Sequence, residues 1–581
     1  MTHGRLLRLL LYCLPGLSFS ALAVDHIDIH IGQLQYEGAE IENLSATLDM
    51  QGRWQGNATL KQGDLAGFSK QLPLPVGISK GSVKGIAAFS GENKVFQRIK
   101  SEADVRDVAF SDAEGLHAGE KISGHAAVNA ERSGSGWNWS GALDWKAGEV
   151  FWQPFYIAKG GVSFQGKGKV DDDLLTLSEG KLALVDIGES AISGTFHRRD
   201  SKLQSLDFDA RNLDAASTYP LLIKPLMDKT LLGNLDMAGR ADVRASLVDG
   251  ALSSFEVALR DFDVADKDGH FAFYKADAHV PWALNKPTQA TLRYESGQVL
   301  NMPLGKADLT AMLDGYSLTA PVLLMPVLDG ELALKDISAA LLQNQWHGHL
   351  SATLTPVSMA DFSHAVGWPT MQGKVAMSIP LVTYSNGQLT TDGALGFDVF
   401  DGSVVVRNLA MQNPLSTVPR LQGDIQMRNL DLELLTRTFS FGAMTGRLDG
   451  DVNGMELSRW QPVKFDADVH SSPGSYPKKI SQRAVENISA LGGAGAAAAI
   501  QRSFLQFFKE FNYGKIGLSC RLRNGVCTMG GAEDTPGGYV IVKGSGIPAI
   551  TVMGYNRSVS WGELLERVKR VTSGNASPVI K

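Results

Sequence analysis

Short runs in which apolar and polar residues alternate make up most of this chain. The clearest run covers residues 26–31, with the sequence HIDIHI, in which every second residue is isoleucine. Residues 402–406 and 539–542 form further runs that are rich in β-branched side chains. Because successive side chains of a strand point to opposite faces of a sheet, this period of two predicts β-strands. We expect antiparallel β-structure through almost the whole chain.

Pairs of residues that favour tight turns separate these runs. Such pairs supply the positive φ angles that hairpin turns require, so each of them predicts a hairpin. Asp-Gly pairs begin at Asp249, Asp268, Asp314, Asp329, Asp392, Asp401 and Asp449, and Asn-Gly pairs begin at Asn386, Asn453 and Asn524.

A few segments show helical signals instead. Asp214, Ser358 and Asp431 each open a short helix, and Ser560 opens a capping box before a terminal helix. Short helices within a series of strands usually cover an edge or an open end of the sheet. Residues 481–491 and a stretch from 496 to 511 have apolar side chains at helical spacing, and the second contains Phe504, Phe507 and Phe508. This stretch is interpreted either as a helix packed in the core or as an amphipathic cap over an apolar ligand groove.

Internal repeats are visible along the chain. Residues 143–150, followed by Pro154, recur as residues 292–299, followed by Pro303, and residues 384–389 form a reduced third copy. A second motif at residues 105–115 recurs at residues 259–269 in the same order. These matches predict a duplicated all-β unit of about 150 residues. Val150, Val299 and Leu389 occupy equivalent positions of the repeat.

The composition of the chain argues against some classes of function. The chain has 581 residues, of which 62 are glycine, and it carries 55 basic and 61 acidic residues for a net charge of −6. No basic block is present, which argues against nucleic acid as the main partner. The strands repeat over this length with few signs of domain boundaries. This pattern predicts an all-β fold, an elongated and curled antiparallel sheet that forms a repeating β-groove, rather than a closed sandwich.

The N-terminus has the features of a secretory signal peptide. Arg5 and Arg8 precede an apolar run at residues 9–17, and the small residues at 20–23 form a cleavage site. An uncleaved membrane anchor is the alternative, but it needs about 18–20 apolar residues, and this run is short and contains Pro15 and Gly16. We expect residues 1–23 to be removed and the protein to reach the periplasm.

Two cysteines remain after that cleavage. Cys520 and Cys527 flank Asn524-Gly525 in a predicted hairpin that sets Leu522 opposite Cys527. The two sulfurs are then diagonal neighbours on one face, so that a disulfide is expected in an oxidising compartment. Two buried thiols are the alternative.

Sequence motifs of enzymes are weak in this chain. Residues 77–81 match G-x-S-x-G, but Pro73 and Pro75 precede them and a strand-like run follows, whereas that motif needs a strand before and a helix after. The acidic residues at 261–268 lack the spacing and the closing Glu of a calcium loop. We expect no catalysis, no cofactor and no metal.

The C-terminal third resembles a known family. This region is similar to the AsmA-like superfamily, and most similar to its YdbH type, whose C-terminal region carries the name "dicarboxylate transport" domain. The resemblance depends on the glycines at 442–454, Trp460-Gln461-Pro462, the Gly/Ala-rich segment that follows, Tyr513-Gly514-Lys515-Ile516, Cys520-Arg521-Leu522 and Ile547-Pro548. The resemblance implies a repeating β-groove that carries phospholipid between the inner and outer membranes, with a small outer-membrane lipoprotein as a partner at the C-terminal end. This chain is shorter than such relatives, and it shows no convergent pair of arginines for a dicarboxylate.

We therefore expect a periplasmic protein with four parts. They are a signal peptide at 1–23, an N-terminal β-repeat region at 24–200, central β-groove repeats at 201–470 and a C-terminal region at 471–581. Its groove would bind phospholipid acyl chains at about 0.8 kcal/mol per buried CH₂. Val150, Val299 and Leu389 are the candidates for lining the groove, and Phe504, Phe507 and Phe508 for covering its end. The alternative is a structural rod of the cell envelope that contacts other proteins through its sheet edges.

Overall fold

The computed structural model describes residues 25–36, 39–69, 76–414, 416, 418–492 and 508–572. Strands account for 71% of the chain and helices for 9%, and the strands pair antiparallel. The predicted all-β antiparallel fold with a few short helices is therefore confirmed. The predicted signal peptide, Phe504 and Phe507 lie outside the described residues.

The chain divides into two units, residues 1–211 with 246–251 and residues 212–245 with 252–581. The first unit contains helix α1 (Leu65–Ser69) and the strands β1 (His26–Tyr36), β2 (Ala39–Asp49), β3 (Arg53–Asp64), β4 (Gly77–Glu92), β5 (Val95–Ser111), β6 (His117–Ser133), β7 (Gly136–Trp152), β8 (Phe155–Ile157), β9 (Val162–Val170), β10 (Leu174–Leu184), β11 (Gly188–His197) and most of β12 (Lys202–Asp214).

The second unit contains most of the helical residues. Its helices are α2 (Ala215–Thr218), a π-helical turn (Tyr219–Ile223), α3 (Lys224–Met227), α4 (Met359–Ala365), α5 (Leu432–Thr438), α6 (Gln482–Gly492) and α7 (Trp561–Thr572). Its strands are β13 (Leu235–Val248), β14 (Ala251–Asp266), β15 (Phe271–Ala283), β16 (Thr288–Tyr294), β17 (Ser296–Val299), β18 (Met302–Leu304), β19 (Ala307–Asp314), β20 (Ser317–Val327), β21 (Gly330–Leu342), β22 (Gln345–Ser358), β23 (Gly373–Ser385), β24 (Gln388–Val399), β25 (Gly402–Gln412), β26 (Arg420–Asp431), β27 (Met444–Thr445), β28 (Arg447–Ser458), β29 (Gln461–Ser471), β30 (Lys479–Ser481), β31 (Glu510–Arg523), β32 (Val526–Gly531), β33 (Glu533–Thr535), β34 (Gly538–Gly544), β35 (Val552–Gly554) and β36 (Ser558–Ser560).

The connections at the two ends of the strands differ in kind. Within each unit most strands pair with the next strand along the chain, so that successive connections alternate between the two ends. At one end of the strands, most links are tight turns such as 93–94, 134–135, 343–344 and 459–460. This end is called here the turn edge; the name refers to the ends of the strands and not to the outermost strands of the sheet. The links at the other end, called here the helix edge, contain α1, α4, α5 and α6. The helices that can cover a face of the sheet therefore lie at the helix edge.

The predicted helix starts are confirmed by their capping hydrogen bonds. The backbone N–H of Ser217 donates to Asp214 at 2.9 Å, and that of Leu434 donates to Asp431 at 3.0 Å. The hydroxyls of Ser358 and Ser560 accept from the third residue after them, at 3.4 and 3.2 Å. Each cap satisfies a backbone donor that the first turn of a helix leaves without a partner.

The ten Asx-Gly pairs do not all form turns. Both residues have positive φ at Asp249-Gly250, Asn386-Gly387 and Asn524-Gly525, where hairpins were predicted. The prediction is wrong at Asp392-Gly393, which lies inside β24, and at Asp449-Gly450 and Asn453-Gly454, which lie inside β28. A Cβ on Gly450 would lie 2.6 Å from both Met427 and Val469, so glycine is required there for close packing rather than for a turn.

Asp449 has a separate role at a β-bulge. Asn429 has a φ of 57° where the pairing of β26 with β28 shifts, and its backbone N–H donates to Asp449 at 2.7 Å. Gly454 donates in the same way to Asp424, and Lys275 to Asp263, each at 2.7 Å. A bulge takes a backbone donor out of the ladder, and a carboxylate on a neighbouring strand satisfies that donor.

Two of the three predicted repeat copies share one local structure. In the first, Trp145 pairs with Val162, and the strand continues into the hairpin of β7 with β8. In the second, Tyr294 pairs with Ala307, and β17 with β18 forms the hairpin. The prediction of a third copy is wrong, because residues 384–389 form a plain two-residue hairpin with Tyr384 opposite Leu389.

The contacts at Gly450 predict a packing clash. We expect Gly450→Ala to lower the free energy of unfolding by about 1–3 kcal/mol, because the added methyl has no space beneath Met427 and Val469. Gly562→Ala is the control, since a Cβ on Gly562 would meet no atom within 4 Å. Urea denaturation followed by circular dichroism measures both, and equal effects of the two changes would contradict this account of Gly450.

Candidate functional site

The first unit has one continuous apolar face. Residues that pair across neighbouring strands lie on the same face, so the pairing register defines rows that cross the sheet. The Leu143 row crosses ten strands from β2 to β12, and it consists of Ile41, Leu60, Gly85, Ala103, Ala126, Leu143, Phe164, Leu182, Ser190 and Ala210. Ser190 is its one polar member.

A parallel row lies nearer the turn edge on the same face. The Trp139 row consists of Ala46, Gly56, Phe89, Ile99, Ala130, Trp139, Gly168, Leu177, Gly194 and Leu206. Every member is apolar or glycine. The two rows together form a strip of apolar side chains several residues wide.

This face is only partly covered. Leu143, in the middle of its row, is 48% exposed. Within the described residues up to Arg211, the buried hydrophobic side chains are Ala39, Leu44, Val108, Ile187 and Ala210. Most of the apolar strip therefore stays in contact with solvent, which is costly for aliphatic and aromatic side chains.

The opposite face of the same unit is polar. Cross-strand ion pairs lie there, with Lys167 2.8 Å from Glu179 and Lys181 2.7 Å from Glu189. These residues alternate along β9, β10 and β11 with members of the two apolar rows. The sheet of this unit thus has one wet face and one apolar face.

The second unit has a longer apolar row. The Met377 row crosses eleven strands from β20 to β32, and it consists of Met325, Leu332, Leu354, Met377, Leu395, Val406, Ile425, Val452, Ala467, Cys520 and Met529. Every member is apolar, and the first nine are half-buried.

The helix edge of this face is covered. Met359 and Phe362 of α4 and Leu435 of α5 pack in one cluster with Val375 and Val404, which lie one row from the Met377 row toward that edge. Toward the turn edge lies the Leu389 row, whose members are half-buried: Tyr384, Leu389, Met411, Leu421, Leu457 and Pro462. Between the two rows, Ala352, Ile379 and Val382 form a small buried cluster against which Met377 and Leu389 pack. The apolar face therefore has helices along one margin and half-buried side chains along the other.

The C-terminal end of the Met377 row is closed as well. Its last two members, Cys520 and Met529, belong to the largest buried cluster, which also contains Val485 of α6 and Leu564 of α7. The half-buried strip thus runs into a packed core at this end of the unit.

A disulfide lies at that junction. Leu522 pairs with Cys527, as the sequence predicts, so that Cys520 and Cys527 are diagonal neighbours with their Cα atoms 5.4 Å apart. The structure joins the two sulfurs. Both cysteines are buried and face the core.

The structure gives the strand partners of three predicted groove residues. Val150 pairs with Gly119 and Ile157, and Leu389 belongs to the row named after it. Val299 is 40% exposed and pairs with Met302, which packs against a cluster that Met325 also contacts. Leu389 is not equivalent to the other two, because it follows a plain hairpin. Phe508 is exposed, and Phe504 and Phe507 lie outside the described residues.

Sequence reasoning missed the rows themselves. Their four glycines lie at close approaches: a Cβ on Gly56 would lie 2.5 Å from the ring of Phe89, and a Cβ on Gly85, Gly168 or Gly194 would lie within 2.5 Å of a backbone carbonyl oxygen on a neighbouring strand. Glycine inside a strand signals a close approach of this kind. The partner across the sheet depends on register, which local sequence does not reveal.

One group of side chains has the spacing of metal ligands. Ligand atoms of Asp266, Asp268 and His270 lie within 4.8 Å of one another. Asp266 accepts from the backbone N–H of His270 at 3.0 Å, and its Oδ2 lies 2.5 Å from Nδ1 of the same residue. In the other repeat copy, Asp112 accepts from the backbone of Leu116 and contacts His117. These contacts close the turn between two strands.

The G-x-S-x-G motif lies inside β4 and is not followed directly by a helix. The Ser79 hydroxyl donates to the carbonyl of Ala109 at 3.3 Å. Residues 77–81 therefore do not form the strand-turn-helix on which a nucleophilic serine of this kind depends.

None of the helices among the described residues combines the length and apolar character needed to cross a bilayer. Comparison of the chain with family models, with curated proteins and with solved structures finds no match. The resemblance to the AsmA-like superfamily therefore stays a prediction.

The turn at Asp266 predicts a dependence of stability on pH. Burial alone would raise the pKa of Asp266, but the hydrogen bonds from His270 outweigh it and hold this pKa below its usual range. The carboxylate therefore stabilises the fold above its unfolded pKa of about 3.9, and this contribution is lost as the pH falls through the folded value. We expect Asp266→Asn to cost about 1.5–3 kcal/mol at pH 7 and progressively less below about pH 4.

Asp268→Asn is the matched control, because Asp268 is exposed and accepts a side-chain hydrogen bond from Asn234 at 3.5 Å. Chemical denaturation at a series of pH values measures both variants. A cost of Asp266→Asn that stays constant down to pH 3 would rule out the ionic role of Asp266.

The disulfide predicts a second stability effect. Cys520→Ala with Cys527→Ala removes a short covalent loop, and the chain-entropy model assigns such a loop about 2–3 kcal/mol. Reduction of the parent protein with dithiothreitol should lower its unfolding midpoint to a similar extent. An unchanged midpoint after both treatments would show that the bond does not stabilise the C-terminal core.

Proposed function

We propose that this chain is a periplasmic protein that binds phospholipid acyl chains along its apolar faces and takes part in moving phospholipid between the inner and outer membranes. No chemical step is part of the proposal. The protein holds the acyl chains out of water while the head groups stay solvated, and it needs neither cofactor nor metal for this.

The observation that carries the proposal is the half-buried Met377 row. Nine successive apolar residues, one from each of nine strands, lie side by side without being fully covered. A protein normally buries such side chains fully, and a long apolar strip that stays partly accessible is typical of a site that another apolar surface occupies. Acyl chains supply that surface in a membrane-bounded compartment.

The length of the row suits an acyl chain. Neighbouring strands are about 4.8 Å apart, so the nine half-buried positions extend roughly 38 Å along the sheet. One acyl chain spans half of a hydrocarbon core of about 30 Å, which corresponds to about three strand spacings. This part of the row is therefore as long as about two acyl chains placed end to end, as a transfer path requires.

The polar face supports the same interpretation. Its cross-strand ion pairs, such as Lys167 with Glu179, keep that face in water. A sheet with one wet and one apolar face can be soluble only if the apolar face is occupied or sheltered. The signal peptide predicted at 1–23 and the resemblance to the AsmA-like superfamily support the periplasm, the membrane surfaces and an outer-membrane lipoprotein as the surroundings.

A structural rod of the cell envelope is the second candidate. Aromatic rings over glycines, such as Phe89 over Gly56 and Phe273 over Gly297, fill parts of the apolar face from within. A face that is filled along its whole length would leave no space for lipid, and the sheet would then act through its edges.

The test is mass spectrometry of organic extracts from the purified protein. We expect phospholipid in the extract of the parent protein, and we expect Leu143→Asp to reduce the amount, because a carboxylate in the apolar strip is incompatible with acyl chains. The control is Ile86→Asp. Ile86 is 55% exposed and pairs with Glu102 on the polar face of the same unit.

A loss of lipid in Leu143→Asp but not in Ile86→Asp supports binding along the apolar face. A folded parent protein without lipid, or an equal loss in both variants, would contradict the proposed function and favour the structural rod. Circular dichroism of both variants checks that the fold is retained.

A further inference from the structure

The loop between β34 and β35 carries an unusually exposed apolar side chain. Ile547 is 93% exposed, which is the highest value for a large hydrophobic residue in the part of the chain that the structure describes. Burial on folding does not explain an isoleucine at this position, since the fold covers almost none of it.

The loop is held in place despite its exposure. The backbone N–H of Asn512 donates to the carbonyl of Pro548 at 2.7 Å, and the Asn512 side-chain amide donates to the carbonyl of Ile547 at 3.1 Å. Asn512 belongs to β31, so these bonds fasten the loop to the sheet. The isoleucine side chain is therefore presented on a fixed backbone.

Lysines surround this loop. Lys479 pairs with Asn512, and Lys515 pairs with Lys543 on the neighbouring strands. The ammonium of Lys478 donates to the carbonyl of Gly514 at 3.3 Å, and a Cβ on Gly514 would lie 3.2 Å from Ser545 of the loop.

The local charge has the opposite sign to that of the whole chain. Residues 478–481, 509–517 and 543–549 contain five lysines and one carboxylate, Glu510, which lies 3.2 Å from Lys479. Glu533 of β33 lies 2.6 Å from Lys543, so the surface has five lysines against two carboxylates, whereas the chain as a whole has a net charge of −6. Four of these lysines are exposed: Lys479, Lys509, Lys515 and Lys543.

We propose that this surface, the Ile547 loop with its surrounding lysines, docks on the surface of an anionic phospholipid bilayer. Ile547 enters the boundary between head groups and acyl chains, and the lysines pair with lipid phosphates. The inference deepens the proposed function, on which it rests, because it names the surface that meets the membrane with which lipid is exchanged.

Charge complementarity favours a bilayer over a protein partner. Protein interfaces usually centre on a cluster of aromatic or arginine side chains that fill pockets. Here one projecting aliphatic side chain is surrounded by lysines, which act as point charges on flexible stems. A fluid layer of phosphates matches that arrangement without any fixed geometry.

The experiment is flotation of the purified full chain with lipid vesicles. Vesicles of phosphatidylethanolamine and phosphatidylglycerol, at about three parts to one, provide the anionic surface, and phosphatidylcholine vesicles provide the neutral one. We expect the parent protein to float with the anionic vesicles only. Ile547→Ser should weaken binding about tenfold, and Lys515→Gln with Lys543→Gln should weaken it and reduce its dependence on salt.

Matched controls separate this surface from general effects. Val185→Ser removes another β-branched side chain that is 68% exposed, and Lys167→Gln with Lys181→Gln removes the same charge from the polar face of the first unit. Neither control should change flotation. All of the changed side chains are exposed, so the variants are expected to fold.

The readouts keep the two proposals distinct. If Ile547→Ser floats as well as the parent, or if the parent does not bind anionic vesicles, the docking inference is overturned, and lipid in the organic extract still supports the apolar face. If Ile547→Ser loses flotation while its extract keeps the lipid of the parent, the docking inference is supported separately from lipid binding along the sheet.

Discussion

The pairing register of the strands is the constraint on which both apolar faces depend. Side chains alternate along a strand, so a shift of one residue between two strands would move an apolar set to the wet face. Each bulge shifts the pairing by one residue at a fixed position, and at three of them a carboxylate satisfies the displaced backbone donor. Asn429, Gly454 and Lys275 donate to carboxylates on nearby strands, so several aspartates act here as anchors of the register rather than as ligands or solvated charges.

Local features of this fold were predictable from the sequence, and cross-strand features were not. The caps at Asp214 and Ser358 and the hairpin at Asn524 depend on residues close to one another in the chain. Asp449-Gly450 has the sequence of a turn, but Gly450 lies inside a strand and packs closely against Met427 and Val469, which belong to other strands. The repeat motif identified the shared local structure around Val150 and Val299, whereas the Met377 row depends on bulges that no local pattern reveals.

The distribution of buried side chains separates stability from function in the second unit. Buried clusters lie at the helix edge and at the C-terminal end, where α4, α5, α6 and α7 supply partners for the sheet, and a smaller cluster around Ile379 packs against Met377. The first nine residues of the Met377 row are half-buried beside these clusters. The buried clusters are those that folding requires, and the proposed function concerns the half-buried strip between them.

The alternation of turn edge and helix edge has a consequence for the growth of the fold. An added pair of antiparallel strands begins at the helix edge and returns to it. Duplication of one hairpin therefore lengthens the apolar face by two strands. The register of the strands before and after the added pair is preserved. Contacts in such an array are mostly between neighbours, so the stability of distant strands is unaffected. The length of an apolar face within one unit thus depends on the number of its hairpins, which evolution can change without redesigning a core.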